Sequence, residues 1–274
     1  MELALSPDSS LLGREAVDLY VLTRILQRCP KLLSSLALAG AVFAAPALAG
    51  AAQILDFESF LNGQAGPFVI NTPDATVTIT GSGPNIGPAI FDSDPAGPNS
   101  TGLDPDLLVD TGNILILQNN NFPNQTVPGI YDTPNDDEDN GFLYFAFSSG
   151  VTVLSMDLID INGNGPANVV LQDSGGLTRS YYAPQDWTGD VNVGDVGIGT
   201  LYTTLQADQA GVGPGNPLAI FSQDAGFNED DVVFMSVNFM GSAGLDNLTF
   251  VPEPSTFLLV AMGLAVLAPR RSRR

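Results

Sequence analysis

Between residues 50 and 250 no long segment carries an apolar period of 3.6 residues. Short runs of β-branched and aromatic residues alternate instead with clusters of Gly, Pro, Asn and Asp, the pattern of strands divided by turns. TVTIT (Thr76–Thr80) alternates cleanly and sets Val77 and Ile79 on one face. ILIL (Ile114–Leu117) is apolar on both faces, as a covered central strand is. FLYFAF (Phe142–Phe147) and VTVLSMDLID (Val151–Asp160) read as the next strands. INGNGPA follows, and its Asn-Gly pairs favour positive φ and so predict a hairpin into NVVLQD (Asn168–Asp173). SGG turns the chain again, and LTRSYY (Leu177–Tyr182) continues the meander. LYTTLQ (Leu201–Gln206), LAIFS (Leu218–Ser222), VVFMSVNF (Val232–Phe239) and LDNLTFV (Leu245–Val251) complete the set.

Roughly ten short strands predict an all-β fold, an antiparallel β-sandwich of jelly-roll-like form. No fixed-period repeat is present, which argues against a solenoid or propeller. NSTGLDPDLLVD and NNNFPNQTVPGIYDTPNDDEDNG are polar, proline-bearing loops. The second is long enough to be a functional or mobile surface loop rather than a simple connector.

The two ends follow other rules. From Arg24 the order is basic residues (Arg24, Arg28, Lys31), then LLSSLALAGAVFAA, then PALAG. A positive segment, an apolar segment and an Ala47-Leu48-Ala49 exit are the layout of a secretory signal peptide, cut by signal peptidase to leave a body starting near Gly50. Residues 1–20 precede that layout as an upstream extension, so residues 1–49 form the exported leader with its signal helix. At the other end, Phe257 to Ala268 is an unbroken apolar run, shorter than the ~20 residues of a comfortable bilayer span. Arginines 270, 271, 273 and 274 follow it and are expected to stay on the cytoplasmic side. Pro252-Glu253-Pro254, a stiff non-helical breaker, precedes it.

This order of parts, Val251 to Arg274, resembles the PEP-CTERM sorting segment of exported bacterial proteins. The resemblance covers the tail alone. It implies transient anchoring of a hydrophobic helix in the inner membrane. It also implies recognition of Pro252, Glu253 and Pro254 by a membrane-embedded exosortase, cleavage nearby, and a setting of exopolysaccharide or biofilm production. The competing reading of the tail is a permanent tether.

Charge narrows the chemistry further. Thirty acidic residues face nine basic ones, and histidine is absent. Between Lys31 and Arg270 the only basic residue is Arg179. Such a body repels nucleic acid and anionic lipid and attracts cations. The lone cysteine, Cys29, lies in the leader, so residues 50–250 have no thiol and no disulfide. Without histidine, Ser–His and Cys–His catalysis are excluded, as is the usual zinc ligand.

What remains is carboxylate and aromatic chemistry. In LDNLTF, strand parity puts Asp246 on the side of Leu248 and Phe250, and a carboxylate at a core edge must be paired, protonated or bound to a cation. ILDFES offers Asp56 and Glu58 opposite Leu55 and Phe57; first and last strands are often neighbours in a sandwich, so these two can meet Asp246 around a structural Ca²⁺. The competing reading leaves Asp246 exposed at a strand end or capping a turn. Carbohydrate-binding jelly-rolls are similar at the level of fold, and many staple their end strands with calcium. TGDVNVGDVGIG begins like an EF-hand loop but lacks its glycine position and closing glutamate. The acidic run 136–139 reads as a solvated loop, with weak divalent binding as the alternative.

In RSYYAPQDW, Tyr181, Tyr182 and Trp187 beside Arg179 suit a sugar-stacking platform, against the commoner fate of strand aromatics in a core. Abundant carboxylates are compatible with glycoside hydrolysis, but no spacing marks an acid–base pair. The sequence therefore favours a non-catalytic, exported structural or adhesive protein of the envelope or extracellular matrix. The alternative is a Ca²⁺-dependent carbohydrate-binding module; a hydrolase comes third.

Overall fold

A computed structural model describes residues 50–253, except 84–85, 103, 138, 162–165, 184–197 and 203–219. Ala47, Ala49, Trp187, Pro254 and the two terminal hydrophobic segments lie outside the described residues. The described residues belong to one compact unit, Ala49–Pro254.

The unit is all-β. Its strands are β1 (Gln53–Leu55), β2 (Phe68–Asn71), β3 (Thr76–Ser82), β4 (Gly87–Asp92), β5 (Asn113–Gln118), β6 (Gly141–Ile159), β7 (Ala167–Asp173), β8 (Thr178–Ala183), β9 (Ile198–Tyr202), β10 (Ile220–Gln223), β11 (Val232–Phe239) and β12 (Gly244–Pro252). One 3₁₀ turn, η1 (Pro105–Leu107), lies between β4 and β5. Every strand pair is antiparallel.

The organising element is β6, 19 residues long. FLYFAF and VTVLSMDLID are one strand, because Ser148-Ser149-Gly150 is small enough to bend a strand without breaking it. The bend is also where β6 exchanges partners. Its first half lies between β3, paired up to Phe147, and β11. Its second half runs between β12 and β9. Gly150 is closely approached: a Cβ there would stand 2.5 Å from Asp231 Oδ1, so that carboxylate would have to move.

The remaining order is β10-β8-β7-β11 on one flank of β6 and β12-β5-β4 on the other. The hairpin expected between β6 and β7 does not form, because β11 inserts between them and pairs with both. The pairing wins because VVFMSVNF finds apolar ladders on two sides, which a local Asn-Gly turn cannot offset. The SGG turn does join β7 to β8, with Gly176 at φ +83°. Two strands, β2 and β4, were not legible as such. GPAIFD looks like a loop until it pairs along all six residues with β5.

Inward residues of both halves of β6 meet in one core, with Val77, Ile79, Phe145, Val169, Met235, Val237, Leu245 and Phe250 among its members. ILIL is covered on both faces as its pattern requires. Leu115 and Leu117 face the main core, and Ile114 and Ile116 face a smaller cluster with Phe91, Leu107, Tyr131 and Ile159. That second cluster is closed by Leu107 of η1 and by Tyr131 of the long polar loop.

Phe250 sits at 0% exposure with its ring 5.4 Å from that of Phe147. Phe250→Ala should therefore destabilise the protein by about 3–5 kcal/mol, the usual cost of emptying an aromatic site. Urea denaturation measures it; a loss under about 1 kcal/mol would mean the packing between the halves is loose.

Candidate functional site

The first and last strands are neighbours: β1 pairs with β12 in the register Gln53↔Phe250 to Leu55↔Leu248. Past Leu55 the chain leaves the sheet, and β5 takes over the edge of β12 at Leu245 and Gly244. Asp246 stands at this exchange. Phe57 adopts a positive φ of 56°, which turns its ring into the core and leaves Asp56 and Glu58 exposed on the opposite side. Burial of that ring supplies the drive for an otherwise unfavourable backbone state.

Asp246 is buried, but not on the face that simple alternation gives. Leu245, Leu248 and Phe250 all belong to the main core, so parity resets between 245 and 248. Asn247 makes the reset, with φ at +51° and a register shift against β6 between Asp246 and Thr249. The bulge turns Asp246 to the outer face. There it lies directly opposite Asp157, a like-charge pair that disfavours the ladder. The Asn247 side-chain amide donates to both carboxylates, to Asp157 Oδ2 at 2.9 Å and Asp246 Oδ2 at 3.2 Å. The Asn247 backbone N–H donates to Asp246 Oδ1 at 2.7 Å.

Burial pushes the Asp246 carboxyl up to about 7, with Asp157, Glu58 and Asp56 adding to the rise against the Asn247 N–H. Asp56 and Glu58 thus act on Asp246 by charge, as does Asp157 opposite it in the ladder, which parity alone did not reveal. Glu58 is partly committed, accepting from Asn113 N at 2.9 Å and lying against Gly112. Among the described residues no three acidic side chains form a ready coordination set. A groove of about 260 Å³ opens beside Asp56, lined by Ile54, Phe60, Asn71 and Thr72.

A second acidic group was missed. Asp136 and Asp137, expected in a solvated loop, are 1% and 4% exposed. The loop folds back and bridges Asp136 to Gln118 at the end of β5, while Asn119 N–H donates to Asn135 O at 2.8 Å. Asp160, at the end of β6, and Asp104, ahead of η1, are buried beside them. Asp104 Oδ2 accepts from Asp136 N at 3.1 Å. Composition hid this group, since an acidic run normally marks solvation; the signal present in the sequence was DPD at 104–106 and DLID at 157–160 beside apolar strands.

The aromatic platform separates. Tyr181 lies in the main core at 1% exposure, a correction to its expected role at a sugar surface: on β8 its parity matches that of Arg179 and Ala183, both inward. Arg179 is likewise spent inside, bonding to Glu229 at 2.8 Å and Gln223 at 2.8 Å and lying 4.7 Å over the Phe227 ring. Tyr182 faces out at 40% exposure, with Phe221 (73%) beside it at 5.9 Å.

The stretch expected to carry the sorting motif begins inside the sheet. Pro252 closes β12 opposite Val151, and Glu253 N–H donates to Gly150 O at 2.9 Å. Burial, then Asp231 and Asp230, raise the Glu253 carboxyl. Gly50 packs against the Pro252 carbonyl, leaving 2.7 Å for a Cβ. No helix among the described residues is long and apolar enough to cross a membrane. No known protein family matches the chain, and neither does any curated protein.

An acid whose folded value is raised binds its proton more tightly in the folded state, so stability falls as pH climbs from about 4 to about 7. Asp246→Asn removes the charge and keeps the shape. The variant should melt several degrees above the wild type at pH 8 without divalent ions, and the gap should close at pH 4–5. A variant less stable at pH 8 in chelator would show that the carboxylate is held by favourable partners instead.

Proposed function

We propose that the protein is an exported β-sandwich of jelly-roll type with a structural or adhesive role in the cell envelope or exopolysaccharide matrix. In this reading signal peptidase removes the leader after Ala49, and an exosortase processes the tail at Pro252-Glu253-Pro254. The body acts by binding or by bulk rather than by catalysis. The carrying observation is the meeting of the two boundaries: Gly50 packs on Pro252, the last residue of the last strand. Removing both end segments on this scheme cuts no described strand. The core shared by the two halves of β6 supports the sandwich.

The motif is hydrogen-bonded to the body through Glu253, so a membrane-embedded protease meets it pressed against the folded domain. Cell fractionation with mass spectrometry of the mature C-terminus tests the scheme. A body ending near Pro252–Pro254, outside the cytoplasm, is expected. An intact arginine tail on a chain in the cytosol would overturn it.

A second reading, a Ca²⁺-dependent carbohydrate-binding module, rests on the exposed Tyr182–Phe221 pair and on the carboxylates around Asp246. Aromatic faces of this kind stack on sugar rings. On a glycan array, binding that Tyr182→Ala or Phe221→Ala abolishes would favour it. An array without signal for the wild-type chain would return the role to a passive matrix component.

A further inference from the structure

The buried acidic group at the ends of β5 and β6 holds a carboxylate with an unused oxygen. Ser242 lies just ahead of β12, and its single hydroxyl stands within hydrogen-bonding reach of two carboxylate oxygens, Asp136 Oδ2 at 2.5 Å and Asp160 Oδ2. One hydroxyl proton serves one of them. Asp136 Oδ2 also takes the Ala243 N–H at 2.6 Å. The other oxygen of that carboxylate, Asp136 Oδ1, is buried without any hydrogen-bond partner, and so is Asn135 Oδ1 next to it. Asp104, Asp160 and Asp106 all act on Asp136 by charge. A carboxylate 1% exposed, faced by other carboxylates and carrying an unused oxygen, is strongly unfavourable unless something neutralises it. The body has no histidine or lysine for that task, and Arg179, its one arginine, is bound to Glu229.

We propose that Asp136 and Asp160, with Asn135 and Asp104 beside them, form a site for one divalent cation of the Ca²⁺ class. Oxygen donors of mixed kind suit this ion: carboxylate, amide oxygen, hydroxyl and water all enter its shell, and two carboxylates balance its charge. The side chains as they stand do not enclose an ion. Binding would require the Asp136 and Asp160 carboxylates, both already against the Ser242 hydroxyl, to turn toward one point. The site would pin four segments at once: the end of the long loop at Asp136, the end of β6 at Asp160, the approach to η1 at Asp104 and the approach to β12 at Ser242. It is distinct from the group around Asp246 and independent of the export scheme.

Melting the full-length chain at pH 7.5 in CaCl₂ and in EGTA tests the proposal, together with calorimetric titration of CaCl₂. Asp160 has φ +57°, a conformation asparagine tolerates, so Asp160→Asn removes charge with little backbone cost. Calcium should raise the melting point of the wild type and of Asp246→Asn by about 5 °C or more. The shift should vanish in Asp160→Asn and Asp136→Asn. Identical wild-type melting with calcium and chelator, and no heat of binding, would overturn the proposal and leave shared protons as the neutralising agent. A shift kept in Asp160→Asn but lost in Asp246→Asn would move the ion to the other group and equally overturn it. Should the variants fail to fold, the wild-type titration at pH 5 and 7.5 still decides. Affinity at least tenfold weaker at pH 5 is expected, since protons compete for the same carboxylates; equal affinity at both values contradicts them as ligands.

Discussion

One guanidinium serves a body crowded with carboxylates, and the fold is arranged around that shortage. Arg179 lies inside the β8–β10 flank, held by Glu229 and Gln223 and resting on Phe227. It neutralises one acid. Every other buried carboxylate must draw on backbone N–H groups, hydroxyls, amides, protons or ions from solution. Asp173 shows the solution that works within the chain: the Asn228 N–H, opposed by burial, and then those of Leu177, Gly175 and Gly176 hold it below the ordinary carboxylate value. Its contribution is present above pH ~4 and is lost as pH falls through its folded value. Asp246 and Asp136 show the opposite case. Donors there are too few, both are pushed upward, and their cost grows as pH rises.

The two strained acidic groups share a structural cause. Each lies where a strand changes neighbours: Asp246 where β12 passes from β1 to β5, Asp136 and Asp160 where β5 and β6 end beneath the long loop. At such exchanges ladder hydrogen bonds lapse, and side chains must satisfy the backbone. Short polar residues in left-handed backbone, Asn247 and Asp160, make the joins. Of the buried acids at these places, Asp160 itself takes that conformation.

Much of the fold was readable from alternation. Val77 and Ile79 and ILIL stand in strands with the faces their patterns assign, and VVFMSVNF is a strand whose alternation breaks at the register shift between Val232 and Phe234. The pairing of the first and last strands, expected from the sequence, is present. Register was not legible. Parity through Asp246 fails because one bulge at Asn247 reverses it, and a bulge leaves no composition signal stronger than an Asn. The inserted position of β11 depends on pairing across more than sixty residues of chain, which local turn chemistry cannot encode. Tyr181 and Tyr182 are adjacent, so one had to face inward, and only packing chose which. The acidic run is solvated at Asp139 but not at Asp136 and Asp137, because Gln118 and Ser242, distant in sequence, hold Asp136 against the sheet.

The central claim is that this body folds at neutral pH with more protons, or more bound cations, than its unfolded chain carries. Unfolding free energy measured against pH from 4 to 8 in chelator tests it most directly, because the slope counts the protons taken up on folding. The account predicts a fall in stability across that range, with a slope of about one to two protons and partial recovery on adding calcium. Stability that stays level or rises from pH 4 to 8 in chelator would contradict it.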